Sequence, residues 1–453
     1  MRRVSAAFSV LFLLDACARS ELLQGSPASG GNSGGDSGDT REAGGVGGTS
    51  TPSAIDCGSL AGLANGSVRA PSTTYGSTAT YSCSQGFDLS GNAIRICQSD
   101  GTWSDTVPTC CPDGTTTCNS TCANTQTDND NCGGCGNVCS AIAPSTAQCV
   151  SGRCLVTLVS GQFYPVAVAV DTTSVYWLRS STNATYPDGA VMKVPLGGGT
   201  PITLVSGLPY PGALAVDATN VYWTNAAGAL NTNGTVMKVP LGGGTPTTLA
   251  SVQSDPTEIT VDAANVYWLN YGVTNSVMKV PLGGGAPSTL ASRQSSLRGI
   301  AVDATRVYST EYNANTVIAV PLAGGPATIL ASGQSDPGDI AVDATSVYWT
   351  TASDSLATDG AIIMELLSGG LSITLVSGQS DPTSLAVDSS SVYWTTIGLA
   401  MNMNGTVMKA PLGGGTPTTL ASGQHWPLGV RVDATSVYWA NSEPGTIMQL
   451  SPK

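Results

Sequence analysis

Short runs of apolar residues, separated by turn residues, fill the chain from residue 155 onward. A clear example is the set Ser384–Asp388, Val392–Thr396, Thr406–Pro411 and Thr418–Ser422. These runs are rich in Val, Ile, Thr, Tyr and Trp, which favour strands, and Gly, Pro, Asp and Ser lie between them. No long apolar stripe of period 3.6 follows residue 150, so strands without helices are predicted there.

One phrase recurs seven times in this region: an aspartate, three mostly small or polar residues, then Val-Tyr and usually Trp. The copies begin at Asp171, Asp217, Asp262, Asp303, Asp343, Asp388 and Asp433, with steps of 46, 45, 41, 40, 45 and 45 residues. A period in this range with about four strands per copy predicts a radial array of small sheets.

The ends of the repeat region predict that the array closes. A lone strand, Val156–Ser160, precedes the first repeat, and the last repeat stops after its third strand, Gly445–Leu450. Pairing of these two strands would complete the last sheet and remove two exposed sheet edges. The predicted fold is therefore all-β, with a seven-bladed β-propeller at residues 155–453.

The repeated motifs resemble those of known propellers. Val-Tyr-Trp-Thr is similar to the Tyr-Trp-Thr-Asp propellers of lipoprotein receptors, and the Ile-Ala-Val-Asp strand resembles NHL-type propellers. The Thr-Asp that follows Trp in the receptor family is absent here. The resemblance therefore implies the architecture and not the receptor family's partner contacts.

The first 55 residues read as a targeting segment followed by a tether. Arg2 and Arg3 precede the apolar run Val4–Leu14, which is too short to span a bilayer and suits a signal peptide over residues 1–16. Leu14-Asp15-Ala16-Cys17 resembles a bacterial lipobox, which implies a lipid on Cys17. Cleavage after Ala18 is the alternative. Residues 17–55 are rich in Gly and Ser and are predicted to form a flexible tether.

Residues 56–110 contain Cys57, Cys83, Cys97 and Cys110, with Tyr81 two residues before the second cysteine and a Gly-Thr-Trp between the last two. This pattern resembles a sushi (complement control) module. The resemblance implies the disulfides Cys57–Cys97 and Cys83–Cys110. So small a module buries little surface and needs its disulfides for stability.

Residues 111–154 form a second cysteine-rich segment. Its Asn-Cys-Gly-Gly-Cys-Gly string resembles cysteine-rich modules of myxobacterial surface proteins. Eight cysteines in an exported chain predict disulfides, although the CxxC spacing of two of them also permits zinc. Their pairing stays open, and the eight are Cys111, Cys118, Cys122, Cys132, Cys135, Cys139, Cys149 and Cys154. Because residues 155–453 lack cysteine, reduction is expected to leave the propeller's thermal transition nearly unchanged.

The net charge is −13 and only 10% of residues are charged. An acidic, sparsely charged surface does not suit nucleic acid or anionic lipid. We therefore expect no nucleic-acid partner, no metal and no cofactor. The chain is expected to be a monomer, exported and held by its lipid at the outer membrane or cell surface.

The loops of a propeller fall on two faces, which we call the turn face and the rim face. The turn face carries the Asp turns and the Gly-rich turns, which barely vary. The rim face carries the rim loops, which lead into each innermost strand, and the loops between the second and third strands. Rim loops of blades three, five and six carry Asp255, Asp336 and Asp381. Those of blades one, two and seven, which are neighbours in a closed ring, carry the aromatic and histidine residues Phe163, Tyr164, Tyr210, His425 and Trp426.

An aromatic sector beside polar loops suits stacking on a sugar ring or a peptide. The plainer interpretation is that the rings only plug the channel mouth. The seven repeated Asp residues could form a metal ring, but an Asp in a tight turn usually accepts hydrogen bonds from its own backbone.

Three functions are compatible with these patterns. The favoured one is a cell-surface binding or adhesion protein that presents the rim face to a glycan or protein ligand. A propeller lyase or hydrolase resembling the streptogramin lyases is the second, but His425 is the only histidine and no nucleophile–base pair is visible. The third is a structural envelope lipoprotein without a specific ligand. We therefore expect no enzymatic activity.

Overall fold

The computed structural model describes residues 54–180, 188–226, 233–272, 274–352, 359–397 and 404–453. The chain divides into two compact units at residue 54, and the account below concerns the second. The predicted signal peptide, Cys17 and the tether up to residue 53 lie outside the described residues. In the part of the chain that is described, no helix is long and apolar enough to cross a membrane.

The regular structure of the described residues consists of strands. The strands before the propeller are β1 (Gly66–Arg69), β2 (Thr78–Cys83), β3 (Phe87–Ser90), β4 (Ile94–Ile96), β5 (Thr109–Pro112), β6 (Thr116–Cys118), β7 (Thr121–Ala123) and β8 (Thr146–Val150). The strands of the propeller are β9 (Arg153–Val159), β10 (Pro165–Val170), β11 (Ser174–Arg179), β12 (Gly189–Pro195), β13 (Ile202–Leu208), β14 (Pro211–Val216), β15 (Asn220–Asn225), β16 (Gly234–Pro240), β17 (Thr247–Gln253), β18 (Pro256–Val261), β19 (Asn265–Asn270), β20 (Asn275–Pro281), β21 (Ser288–Gln294), β22 (Leu297–Val302), β23 (Arg306–Glu311), β24 (Thr316–Pro321), β25 (Thr328–Ser332), β26 (Pro337–Val342), β27 (Ser346–Thr351), β28 (Gly360–Leu366), β29 (Ile373–Gln379), β30 (Pro382–Val387), β31 (Ser391–Thr396), β32 (Gly405–Pro411), β33 (Thr418–Gln424), β34 (Pro427–Val432), β35 (Val437–Asn441) and β36 (Thr446–Ser451).

The propeller has seven blades of antiparallel strands. Blades one to six are the sheets β10–β13, β14–β17, β18–β21, β22–β25, β26–β29 and β30–β33, and blade seven contains β34, β35, β36 and β9. The innermost strands of neighbouring blades contact each other in order, and β34 contacts β10. The seven-bladed all-β fold predicted from the repeats is confirmed.

The ring closes through the first and last strands of the propeller. β36 pairs antiparallel with β9, with Gln449 opposite Val156 and Leu450 opposite Leu155. The two segments predicted to pair do so, within three residues of their predicted ends. The closing sheet also holds a fifth strand, β8, on its outer edge.

The Tyr of each repeat, and the Trp of every repeat except the fourth, which has Ser309 there, form the core between blades. Consecutive residues of a strand point to opposite faces of its sheet, so the Tyr side chain faces the next blade and the Trp side chain the preceding one. Tyr176 of blade one shares a buried cluster with Trp223 of blade two, and Tyr438 of blade seven with Trp177 of blade one. The ring is thus held by apolar contacts between adjacent repeats.

The sushi-like module forms a three-stranded sheet of β1, β2 and β4, and a two-stranded sheet of β3 and β5. Its disulfides join Cys57 to Cys97 and Cys83 to Cys110. This is the pairing that the resemblance to sushi modules implies.

The second module is held by four further disulfides. They are Cys111–Cys122, Cys118–Cys135, Cys132–Cys149 and Cys139–Cys154. The two cysteines with CxxC spacing, Cys132 and Cys135, are therefore in disulfides and are not a zinc site. No group of side chains able to hold a metal ion occurs among the described residues.

The second module merges with the propeller. Cys154 lies within β9, so the boundary predicted between residues 154 and 155 falls inside a strand. Cys149 lies in β8, which pairs with β9 on the edge of blade seven. Because two of these disulfides end in the closing sheet, we now expect reduction to lower the propeller's thermal transition, in contrast to the expectation from the sequence.

A second contact joins this module to blade one. The Ser145 hydroxyl donates to the Leu158 carbonyl oxygen at 2.6 Å and accepts from the Gly199 amide at 3.0 Å. A Cβ on Gly198 would lie 2.3 Å from that hydroxyl oxygen, and the φ of Gly198 is +87°. One Gly-rich turn of the propeller is thus a docking point for the module before it.

Candidate functional site

The seven rim loops share one backbone conformation. In each blade the residue directly before the innermost strand has a positive φ, between 24° and 53°. These residues are Tyr164, Tyr210, Asp255, Ser296, Asp336, Asp381 and Trp426. Because all seven copies share it, this conformation belongs to the scaffold, and the side chains projected from this position are what distinguish the blades.

The aromatic sector groups three of its predicted residues. Phe163 and Tyr164 make an edge-to-face ring contact with centroids 4.7 Å apart. Both are well exposed, at 42% and 43%, and Trp426 is 39% exposed. Large aromatic side chains usually lose most of their exposure on folding. Three such rings on adjacent blades form an apolar surface open to solvent.

A loop of blade seven connects these rings. The Tyr164 hydroxyl donates to Glu443 Oε1 at 3.1 Å, and this hydrogen bond raises the pKa of Tyr164. The adjacent Ser442 donates its backbone N–H to the Trp426 carbonyl oxygen at 3.2 Å. The same loop therefore contacts both rim positions.

Gly445 allows this loop to lie close to blade one. The Gln162 amide donates to the Gly445 carbonyl oxygen at 2.9 Å. A Cβ on Gly445 would lie 1.6 Å from the Gln162 carbonyl oxygen, and the φ of Gly445 is +78°. Only glycine fits there, so the geometry of the aromatic sector depends on this residue.

The other two predicted aromatic-sector residues, Tyr210 and His425, are partly exposed in the rim loops of blades two and seven. Within the described residues, the His425 imidazole makes no hydrogen bond or ion pair. The structure thus places all five predicted residues on the rim face, and its ring and loop contacts join Phe163, Tyr164 and Trp426.

The acidic rim residues differ in their surroundings. Burial raises the pKa of Asp255. Asp336 Oδ2 accepts a hydrogen bond from the Tyr312 hydroxyl at 3.2 Å. Asp381 borders the cavity at the channel mouth. Within the described residues, these carboxylates belong to no group able to hold a metal ion.

The repeated Asp residues of the turn face have a structural role. In blade two, Asp217 Oδ1 accepts from the backbone amides of Thr219 and Asn220, each at 2.7 Å. Asp217 Oδ2 accepts from the Tyr222 hydroxyl at 2.7 Å. Burial alone would raise the pKa of Asp217, but these hydrogen bonds hold it below its ordinary value. Each blade has the equivalent Tyr-to-Asp hydrogen bond, so the seven residues are used within their own turns.

The channel mouth contains charged residues that the sequence analysis did not select. A cavity of about 220 Å³ lies where the innermost strands begin, and its lining includes Glu258, Arg298, Asp339 and Arg431. Burial, and next the charge of Asp339, raise the pKa of Glu258 to about 7. Burial likewise raises the pKa of Asp339, against the effect of Arg431 and several hydrogen bonds.

A comparison of the seven repeats could have found these groups. Glu258 and Asp339 each lie two residues after the proline that starts the innermost strand, where blades one and two have Ala167 and Ala213. Arg431 lies four residues after its proline, where the other copies have Ala or Thr. The feature that marks these residues in the sequence is a charged side chain at a position where other repeats have a small or apolar residue.

The comparisons with known proteins concern two parts of the chain. The profile of the Sushi repeat (SCR repeat) family matches residues 57–110. The mouse protein "Sushi, von Willebrand factor type A, EGF and pentraxin domain-containing protein 1" is 43% identical over 58 residues, which is 13% of this chain and 2% of that protein. Human "Sushi repeat-containing protein SRPX" is 43% identical over 56 residues, or 12% of each chain. The chain thus matches only a small part of these relatives' lengths.

The propeller is similar to the solved structure of streptogramin B lyase. The TM-score is 0.51 with 14% sequence identity, covering 66% of this chain and 96% of that one. At this identity the likeness concerns the fold alone. A Sushi repeat together with six disulfides is typical of extracellular or surface proteins.

Proposed function

We propose that this chain is an exported binding protein whose propeller recognises a glycan or protein ligand through the aromatic sector of the rim face. The observation that carries the proposal is the exposure of Phe163, Tyr164 and Trp426 at about 40% each on two adjacent blades. By contrast, Trp177 and Trp439, the tryptophans of the repeated phrase in the same two blades, are fully buried. The exposed rings are therefore not part of the scaffold's core.

A glycan is the ligand favoured by the surroundings of these rings. Exposed ring faces offer an apolar platform, and the neighbouring Glu443 carboxylate, itself exposed, accepts hydrogen bonds. An apolar face beside a polar acceptor complements a sugar ring, which has an apolar face and a rim of hydroxyl groups. A peptide with an aromatic or proline side chain would use the rings and depend less on Glu443.

We propose that the face binds without turnover. His425 lacks a carboxylate or hydroxyl partner among the described residues, so no oriented acid–base pair supports catalysis there.

We further propose that the mature chain is attached to the outer membrane or cell surface through lipid on Cys17. Cys17→Ser should release it into the soluble fraction or stall its processing, and an unmodified mature terminus at Arg19 in the wild type would contradict the anchor.

The proposal is tested by screening the purified chain on glycan and peptide arrays and measuring the affinity of each ligand found. Trp426→Ala should weaken binding by about thirtyfold, as expected for an interface anchor. The matched control is Tyr271→Ala, which removes an aromatic side chain that is 48% exposed on the same face in blade three. Equal binding by the wild type and Trp426→Ala would contradict the assignment, and a ligand found only on the peptide array would exclude the glycan.

A further inference from the structure

The cavity at the channel mouth has a charged side and an apolar side. Glu258, Arg298, Asp339 and Arg431 come from blades three, four, five and seven, whereas blades one and two contribute small or apolar residues such as Val166 and Leu214. Charges of both signs thus surround one small space, and the cavity is independent of the aromatic rings described above.

Two of the charged groups, Asp339 and Arg431, already have hydrogen-bond partners in the protein. Asp339 Oδ2 accepts from the Leu385 amide of blade six at 2.8 Å. Arg431 donates through Nη1 to the Val430 carbonyl oxygen at 2.7 Å. A guanidinium group has five N–H donors, so Arg431 keeps donors for a ligand.

Glu258 and Arg298 are not used in this way. Within the described residues, the Glu258 carboxyl makes no hydrogen bond or ion pair. The Arg298 guanidinium lies over the Tyr312 ring, 4.9 Å from its centroid, and makes no hydrogen bond with the described residues. The Glu258 side chain is partly buried, and a carboxyl that is shielded from water without a hydrogen-bond partner is less favourable in its charged form. A bound cation would relieve this cost.

We propose that the channel mouth binds a small zwitterion, a molecule of about the size of an amino acid or dipeptide that carries an ammonium group and a carboxylate. The ammonium group would lie against Glu258 with Asp339 behind it, and the carboxylate would face Arg298 and Arg431, because guanidinium groups bind carboxylates strongly. A cavity of about 220 Å³ is smaller than the sites that hold drug-sized ligands. Val166 and Leu214 favour a ligand with an apolar side chain.

The proposal is tested by calorimetric titration of the full chain at pH 8 with the common free α-amino acids and a set of dipeptides. At least one zwitterion should bind, and its N-acetyl derivative and its methyl ester should each bind about tenfold or more weakly. Glu258→Gln and Arg298→Gln should each cause a similar loss. Asp359→Asn, which alters an exposed carboxylate on the same face, is the control and should bind like the wild type.

The pH dependence gives a second readout. The affinity for the zwitterion should fall as the pH drops below 7, because protonated Glu258 no longer attracts the ammonium group. The other charged groups of the lining are Asp339, Asp381, Arg298 and Arg431. The proposal is overturned if no member of the set binds, if Glu258→Gln binds as the wild type does, or if Trp426→Ala alone abolishes binding and so moves the site to the aromatic sector.

Discussion

The two faces of the propeller use the same residue types in opposite ways. On the turn face, Asp217 accepts four hydrogen bonds and its pKa is lowered. On the rim face, Asp255 is partly buried and its pKa is raised. Tyr222 is fully buried against the next blade, whereas Tyr164 is 43% exposed. Residues that recur in every blade are thus fixed by hydrogen bonds and buried packing. Several residues that vary between blades instead stay exposed or keep a raised pKa.

The largest expected effect comes from opening the ring. Deletion of residues 446–453 removes β36 and leaves both β9 and β35 with an unpaired edge. The whole propeller should unfold or lose its cooperative thermal transition, because each blade packs on its neighbours. Deletion of residues 452–453 alone is the control. It removes the ion pair between Lys453 and Asp388 but leaves β36 in place, and should lower the transition only slightly. An unchanged transition after the larger deletion would contradict the closure.

The disulfides of the two small modules are expected to differ in their effect on the stability of the propeller. Cys139–Cys154 fixes β9 and closes a loop of 15 residues, so its loss is expected to cost about 3 kcal/mol. The double variant Cys139→Ser/Cys154→Ser should lower the propeller's calorimetric transition. Cys57→Ser/Cys97→Ser, in the sushi-like module, should leave that transition in place. Equal shifts for both pairs would show that the closing sheet has no special dependence on the second module.

A single Asp substitution on each face tests the contrast directly. Asp217→Ala leaves the buried Tyr222 hydroxyl and two turn amides without their partner and should cost about 2 kcal/mol. Asp255→Asn should be neutral or slightly stabilising, because it removes a partly buried charge. Chemical denaturation of both variants measures the difference, and an equal loss of stability would refute the distinction between the faces.

A smaller effect is expected from the channel. Because the pKa of Glu258 is about 7 when folded and about 4.5 when unfolded, the folded state binds more protons between these values, and stability falls as the pH rises through them. Glu258→Gln should remove this loss and be about 1–2 kcal/mol more stable than the wild type at pH 8, allowing for partial contact with water. Thermal melts from pH 4 to pH 8 measure this, and parallel curves for the two proteins would contradict the assignment.

Much of the fold could be read from the sequence because repetition supplies independent copies of each element. Seven Val-Tyr phrases predicted the strands, and the lone strand near Val156 predicted the closure. The merging of β8 with blade seven could not be predicted, since Thr146–Val150 resembles no strand of the repeat and its pairing depends on contacts distant in sequence. The aromatic sector was visible because ring closure makes blades one and seven neighbours. Glu258 stands out in the sequence as a charge where blades one and two have alanine, but the cavity that it borders forms only where strands from several blades meet.

The central claim is that the turn face maintains the fold and the rim face binds the ligand. It is tested most directly by measuring, for the same variants, both the thermal transition and the affinity for the ligand found on the arrays. Asp217→Ala should lower the transition and leave the affinity of the folded protein unchanged. Trp426→Ala should leave the transition within about 0.5 kcal/mol of the wild type and weaken binding by about thirtyfold. Loss of affinity in Asp217→Ala with unchanged binding in Trp426→Ala would contradict the account.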